Sequence, residues 1–333
     1  MKNVPLVCFV VLLILGLLIP GAAAVSIVTT MPNIWDVTRQ IGGDHVDVIY
    51  VAPPTSVHIS SDTIDALLQQ NSGFLKTADI FLGQGGGMDK APLTKVDEFR
   101  QKNFGLSTPW LLISNVSTAD VPNATSTYDN PVSLAGYSEA VCWLLKSADP
   151  ANATAYDAGL AAYLEKVSRE TSLSAQEKET LATVPIICQF RIKNQAVTWL
   201  GMNDVDAYPQ PHEMQTIIDD IHANPDTYRS IAAASPAGKI FVVENIVAGE
   251  SMGVGIHEAL KDAGVPAERV VFLNLPKSAD GIDTILDYYA YNKNLILDHA
   301  VPAPVATEPA KSPVGIAAVF AGVLGASLLI RRE

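Results

Sequence analysis

The sequence predicts an α/β protein of two lobes, each with a mostly parallel sheet flanked by helices, joined by one long bridging helix. Three observations carry this expectation. From residue 25 to 150, short β-type runs alternate with helix-patterned segments, and such alternation builds parallel sheets through right-handed crossovers. The alternation restarts at residue 184 and continues to 298. Between the two stretches, residues 152–181 hold no proline and a single glycine, Gly159. There Tyr156, Leu160, Tyr163, Leu164 and Val167 form one apolar stripe. An unbroken helix over residues 152–181, within a bridge spanning 151–183, would reach roughly 45 Å, more than a compact lobe needs and suited to bridging two.

The elements follow in order. Ser26 to Thr30 is a β-type run, and Asn33 to Ile41 a helix with Ile34, Val37 and Ile41 on one face. Val46 to Val51 alternates as a strand and runs into Pro53-Pro54. Thr63 to Ser72 is helical in pattern, and Ala78 to Leu82 and Leu111 to Ile113 are strands. In the second half, Val184 to Gln189, Lys239 to Glu244 and Arg269 to Leu273 read as strands. Gln195 to Leu200, Pro211 to Ala223, Gly255 to Ala263 and Ser278 to Ile296 read as helices, the last closing the second lobe.

The ends differ from the body. Lys2, an apolar run from Val4 to Pro20 and the small residues Gly21 to Ala24 read as a secretory signal over residues 1–24. Cys8 lies inside the apolar run, which argues against an N-terminal lipid anchor. Residues 299–313 are rich in proline and alanine and read as a semi-rigid stalk. Residues 314–330 are apolar, are followed by Arg331-Arg332, and read as a transmembrane anchor with the body outside. The arrangement resembles archaeal surface proteins. Sequons at Asn115, Asn123 and Asn152 agree with an extracellular location. Cys142 and Cys188 lie in apolar runs and read as buried thiols. The net charge of −13, with no basic cluster in the body, argues against nucleic acid as a partner.

In open α/β sheets, ligands bind beyond the carboxyl ends of the strands, and the cleft between two lobes is the default site. The residues following the strands are therefore the candidates. They are Pro53-Pro54 leading to His58, Gln189-Phe190-Arg191, Glu244-Asn245 and Asn274, with Tyr128-Asp129 just before a helix. No Gly-x-Ser-x-Gly elbow, zinc-protease helix or dinucleotide fingerprint is present, and Gly85-Gly86-Gly87 lacks the lysine of a phosphate loop. The chain is expected to be no enzyme, with no catalytic cofactor. A surface adhesion protein is a third class to weigh.

These positions carry a resemblance. Gln40 to Val46, Pro53-Pro54 to His58, Ala78 to Asp89, Pro209 to Gln215, Phe241 to Glu244 and Val271 to Asn274 occur in the order seen in zinc and manganese ABC-importer binding proteins. The chain resembles that family, the cluster A-I solute-binding proteins, over nearly all of residues 25–296. The resemblance implies capture of a divalent metal ion, zinc or manganese, as cargo and its delivery to an ABC permease driven by an ATPase. It also implies four ligand positions, which fall at His58, within Tyr128-Asp129, within Gln189 to Arg191, and at Asn274. Only His58 is an ordinary metal ligand there, since asparagine is a weak donor and arginine none. Two readings stand. A metal site is rebuilt from His58, Asp129, Glu244 and His212, or Tyr128, Gln189, Arg191 and Asn274 hold an anionic solute or metal chelate.

Overall fold

The computed structural model describes residues 24–54, 61–208, 214–245 and 253–300. The signal segment up to residue 23, the stalk beyond residue 300, the 314–330 anchor, His58 and His212 lie outside the described residues. Among the described residues no helix is long and apolar enough to cross a membrane.

The first lobe begins with β1 (Val25–Thr29), α1 (Pro32–Gly42) and β2 (Val46–Tyr50). After α2 (Ser61–Gln70) and α3 (Ser72–Thr77) come β3 (Ile80–Gly83), α4 (Lys90–Phe104), β4 (Trp110–Leu112) and α5 (Pro131–Ala148). The second lobe holds β5 (Pro185–Gln189), a π-helical turn (Asn194–Trp199), β6 (Asn203–Tyr208), α8 (Met214–Ala223) and α9 (Pro225–Ala234). It continues with β7 (Ile240–Asn245), α10 (Val254–Asp262) and β8 (Ala267–Phe272). The stretch between the lobes forms α6 (Ala153–Thr171) and α7 (Ala175–Ala182), and the last helix is α11 (Ile285–Ala300).

Each lobe carries a four-stranded sheet, in the orders β2-β1-β3-β4 and β6-β5-β7-β8. Every pairing is parallel. The two sheets therefore repeat one topology, with the order reversing at β1/β3 and at β5/β7. Such switch points open a crevice at the strand carboxyl ends, which is where a ligand enters. The central strands are covered on both faces, so β1, β3, β5 and β7 are nearly continuous apolar runs. Val28 and Phe81 pack under α2, α3 and α4, whereas Ile27, Ile80 and Leu82 pack under α1, α5 and α6.

The expected single bridging helix is two helices, and its break has a local cause. Ser172 leaves helical geometry at ψ 132°, and Ser174 starts α7 with a reciprocal cap. The Glu177 N–H donates to the Ser174 hydroxyl at 3.1 Å, and the Ser174 N–H donates to the Glu177 carboxylate at 2.7 Å. That box satisfies two backbone-end donors that a continuous helix would not present.

The helix read as closing the second lobe also behaves differently. It starts at Ile285, and its first half buries Ile285, Leu286, Tyr288 and Tyr289 in the core of the first lobe. Its second half buries Ile296 and Ala300 in the core of the second. Lys293 on α11 pairs with Glu177 on α7 at 2.8 Å. Both cysteines of the body are buried free thiols, Cys142 pushed up to about 11 and Cys188 to about 12, chiefly by burial.

Candidate functional site

On the first lobe, the crevice side is formed by the ends of β1 and β3 and the starts of α1, α4 and α5. Pro32 at the first turn and the β-region residue Met31 set the start of α1, which places Asn33 beside the strand ends. Asn33 donates to the Tyr137 hydroxyl at 3.1 Å, and Tyr137 donates to Gln84 Oε1 at 3.0 Å. Gln84 in turn donates to the carbonyl of Ser126. Behind them Asp89 is fully buried and takes the Gly85 N–H at 3.0 Å. Burial pushes its carboxyl above the usual range, against the pull of hydrogen bonds. A side chain at Gly83 would meet the Asp89 carboxylate at 2.9 Å, so the strand ends on glycine there.

This chain of polar groups fixes the loop that carries Tyr128 and Asp129. Asn130 caps α5, accepting from the N–H groups of Val132 and Ser133 at 2.9 Å each. The Asp129 carboxylate therefore is not the helix cap. Its Oδ1 accepts from the Ser133 hydroxyl at 3.0 Å, and its Oδ2 from Asn194 Nδ2 of the second lobe at 2.9 Å. Tyr128 packs edge-on against Tyr137 at 5.3 Å. Burial, reinforced by Asp129 and Asp89, raises the Tyr128 hydroxyl well beyond its ordinary range. It stays protonated at neutral pH and able to donate a hydrogen bond.

On the second lobe, the register aligns Gln189 with Tyr208 across β5 and β6. Gln189 is buried and its Oε1 accepts the Arg191 N–H at 3.1 Å, bending the chain out of the sheet. Arg191 is exposed, with its guanidinium 5.3 Å from the Phe190 ring centre. Glu244, at the end of β7, is fully buried. One of its oxygens accepts the Gly253 N–H at 2.7 Å and the other pairs with the Arg269 guanidinium. Its charge is thus already matched inside the lobe. The Tyr208 hydroxyl and Asn274 Oδ1 are buried without a hydrogen-bond partner among the described residues.

Among the described residues, no three His, Cys, Asp or Glu side chains stand together as a metal-holding group. The structure brings Asp129 against the second lobe, leaves Gln189 and Arg191 in one tight turn, and ties Glu244 to Arg269. A hollow of about 430 Å³ lined by Trp35, Arg39, Asp44 and Asp47 lies at the other end of β2, away from the crevice. Residues not anticipated from the sequence are Asn194, Arg269, Tyr289 and Asn292. A signal existed for the last: Asn292 is a lone amide on the apolar face that carries Tyr288, Tyr289 and Ile296.

Comparison with known proteins places this geometry. The cadmium-bound periplasmic metal-binding protein of Candidatus Liberibacter asiaticus shares the fold at TM-score 0.55 and 16% identity, over 82% of this chain and 98% of that one. The manganese-bound form of a periplasmic metal-binding protein from the same organism matches at TM-score 0.56 and 17% identity, with 82% and 98% covered. The crystal structure of ZnuA matches at TM-score 0.54 and 14% identity, with 83% and 99% covered. A search of curated proteins finds no match. Residues 27–228 match the family described as zinc-uptake complex component A, periplasmic. That match spans the first lobe, the linking helices and the first half of the second lobe, so this chain belongs to the ZnuA family of solute-binding proteins.

Proposed function

We propose that this protein is the extracellular solute-binding component of an ABC importer, taking a divalent metal ion into the crevice between the lobes and passing it to a permease driven by an ATPase. The observation that carries this reading is the family match on a pair of identically wound sheets, whose switch points both lie at strand carboxyl ends. Relatives of the same fold are described as cadmium- and manganese-bound. In this reading His58 and Asp129 contact the ion, the latter from a carboxylate already oriented by Ser133 and Asn194. His212 and Glu244 are further donors, and Glu244 joins only by exchanging Arg269 for the ion. The apolar segment 314–330 anchors the body to the membrane behind its stalk, raising the binder's concentration at the permease.

A second reading is favoured by Arg191, which has no carboxylate partner among the described residues. An exposed guanidinium beside Gln189 suits an anionic solute or a metal chelate, with Tyr128 and Asn274 as the further contacts of this reading. The test is metal analysis of protein purified without a polyhistidine tag, followed by stripping and thermal-shift titration. A ligand that binds only the folded state raises the melting point as it exceeds its dissociation constant. One equivalent of zinc or manganese with a concentration-dependent shift supports the metal reading. A response to citrate-bound metal but not to the free ion supports the second, and no response to either sinks both.

A further inference from the structure

Three segments close into one ring of hydrogen bonds: α11, the Tyr128-Asp129 loop of the first lobe, and Asn194-Gln195 of the second. The Tyr289 hydroxyl donates to the carbonyl of Tyr128 at 2.6 Å. The next residue, Asp129, accepts from Asn194 at 2.9 Å. The residue after that, Gln195, accepts through Oε1 from Asn292 at 3.0 Å. Asn292 lies one turn beyond Tyr289 on α11, which completes the circuit. The same Asn292 amide also holds both backbone groups of Leu273, accepting its N–H at 2.8 Å and donating to its carbonyl at 2.7 Å. Leu273 immediately precedes Asn274. Asn292 is fully buried and Tyr289 nearly so, so the Asn292 bonds are shielded from solvent, whereas the Asp129–Asn194 link is exposed.

We propose that Tyr289, Asn292 and Asn194 are positioning residues for cargo binding, fixing the direction of the Asp129 carboxylate and the placing of Asn274 from a single helix shared by both lobes. The inference rests on Asp129 contacting cargo in the crevice. Three features argue for it beyond ordinary packing. The ring joins the Tyr128-Asp129 loop of the first lobe to the Asn194-Gln195 segment of the second. It ends on a carboxylate whose second oxygen is separately held by Ser133, so its orientation is over-determined. Its anchor is stiff, because the Tyr289 ring lies 4.8 Å from the Trp199 ring at 32°, and the Trp199 indole donates to the carbonyl of Thr171 at 3.0 Å. Holding a ligand group in its bound direction lowers the ordering cost of binding.

The test uses the full chain and Zn²⁺ and Mn²⁺ as probes, with dissociation constants measured by competition against a chromogenic chelator and urea midpoints measured on the metal-free protein. Tyr289→Phe removes one hydroxyl and keeps the ring stack. Asn194→Ala removes the opposite link. Each is expected to weaken binding by roughly tenfold, and the double variant by little more than either alone, because the ring acts as one unit. Asp129→Ala is expected to weaken binding at least as much. Lower urea midpoints with unchanged dissociation constants would overturn the inference and leave a merely structural role. So would an unaffected Asp129→Ala in a protein that binds metal, while the cargo reading would survive. Failure of the wild-type chain to bind either ion would remove that reading itself, and the inference with it.

Discussion

Asp36 offers a sharp test of how the lobes are tied together. It lies on α1, is 1% exposed, and accepts the Ile285 N–H at 2.8 Å, which opens α11. Gln40, one turn on, donates to its other oxygen at 3.2 Å. Burial outweighs these bonds and raises its carboxyl from 3.8 to about 6. At about 1.4 kcal/mol per pH unit of difference, the gap amounts to on the order of 3 kcal/mol. The sign follows from proton counting. Below pH 3.8 both folded and unfolded chains carry the proton, and the contribution is complete. Between 3.8 and about 6 the folded chain holds a proton that the unfolded one has shed, so stability falls as pH rises. Above about 6 the loss is complete. Asp36→Asn is neutral throughout and keeps an oxygen for the Ile285 N–H. Urea unfolding of both proteins at several pH values should show matching stability near pH 4. The variant should then gain by up to about 3 kcal/mol above pH 7. A difference between the two that does not change with pH would refute the argument.

Three further changes probe other joints. Gly159 on α6 faces α1 so closely that a Cβ there would stand 1.9 Å from the carbonyl oxygen of Ile41. Gly159→Ala should part the two helices, cost about 1–3 kcal/mol and lower the melting temperature. Ser174→Ala removes the cap that starts α7 and should cost about 1 kcal/mol in urea unfolding, with metal affinity unchanged. His58→Ala should weaken metal binding at least about tenfold, about 1.4 kcal/mol in titration. An unchanged isotherm would take His58 out of the site.

Much of the fold was legible because parallel strands covered on both faces announce themselves as apolar runs. β1, β3, β5, β7 and β8 all do so, and each was read within a residue or two. β6 was not, since Asn203-Asp204-Val205-Asp206 is an edge strand whose apolar pattern is broken by acids, Asp204 pairing with Lys193. The charged helix α4 gave little periodicity, although it buries Arg100 with its guanidinium 4.1 Å from the Phe81 ring centre. The break between α6 and α7 was legible in principle, as Ser174 and Glu177 stand at capping-box spacing. For the site, strand ends pointed to the right segments, but only side-chain partners show what each group is free to do. Nothing in the sequence tells that Glu244 is matched by Arg269, or that Asp129 is held from the opposite lobe by Asn194.

The division of α11 between two cores bears on how such a binder can move. Tyr288 and Tyr289 are packed in one lobe and Ile296 and Ala300 in the other, so no wide opening can occur without unpacking one end of this helix. Close-packed interiors resist that, since lost contacts are not replaced. The α6–α7 joint adds a second tie, with Trp199 donating to Thr171 and Lys293 pairing with Glu177. The Asp129–Asn194 bond between the lobes is exposed, so it is a contact that small rotations about α11 would strain. A binder built this way gains little from closure and has to present its donors already aimed. That is why buried side chains that fix α11, Asp36 of α1 at its first N–H and Asn292 in its middle, bear on the crevice.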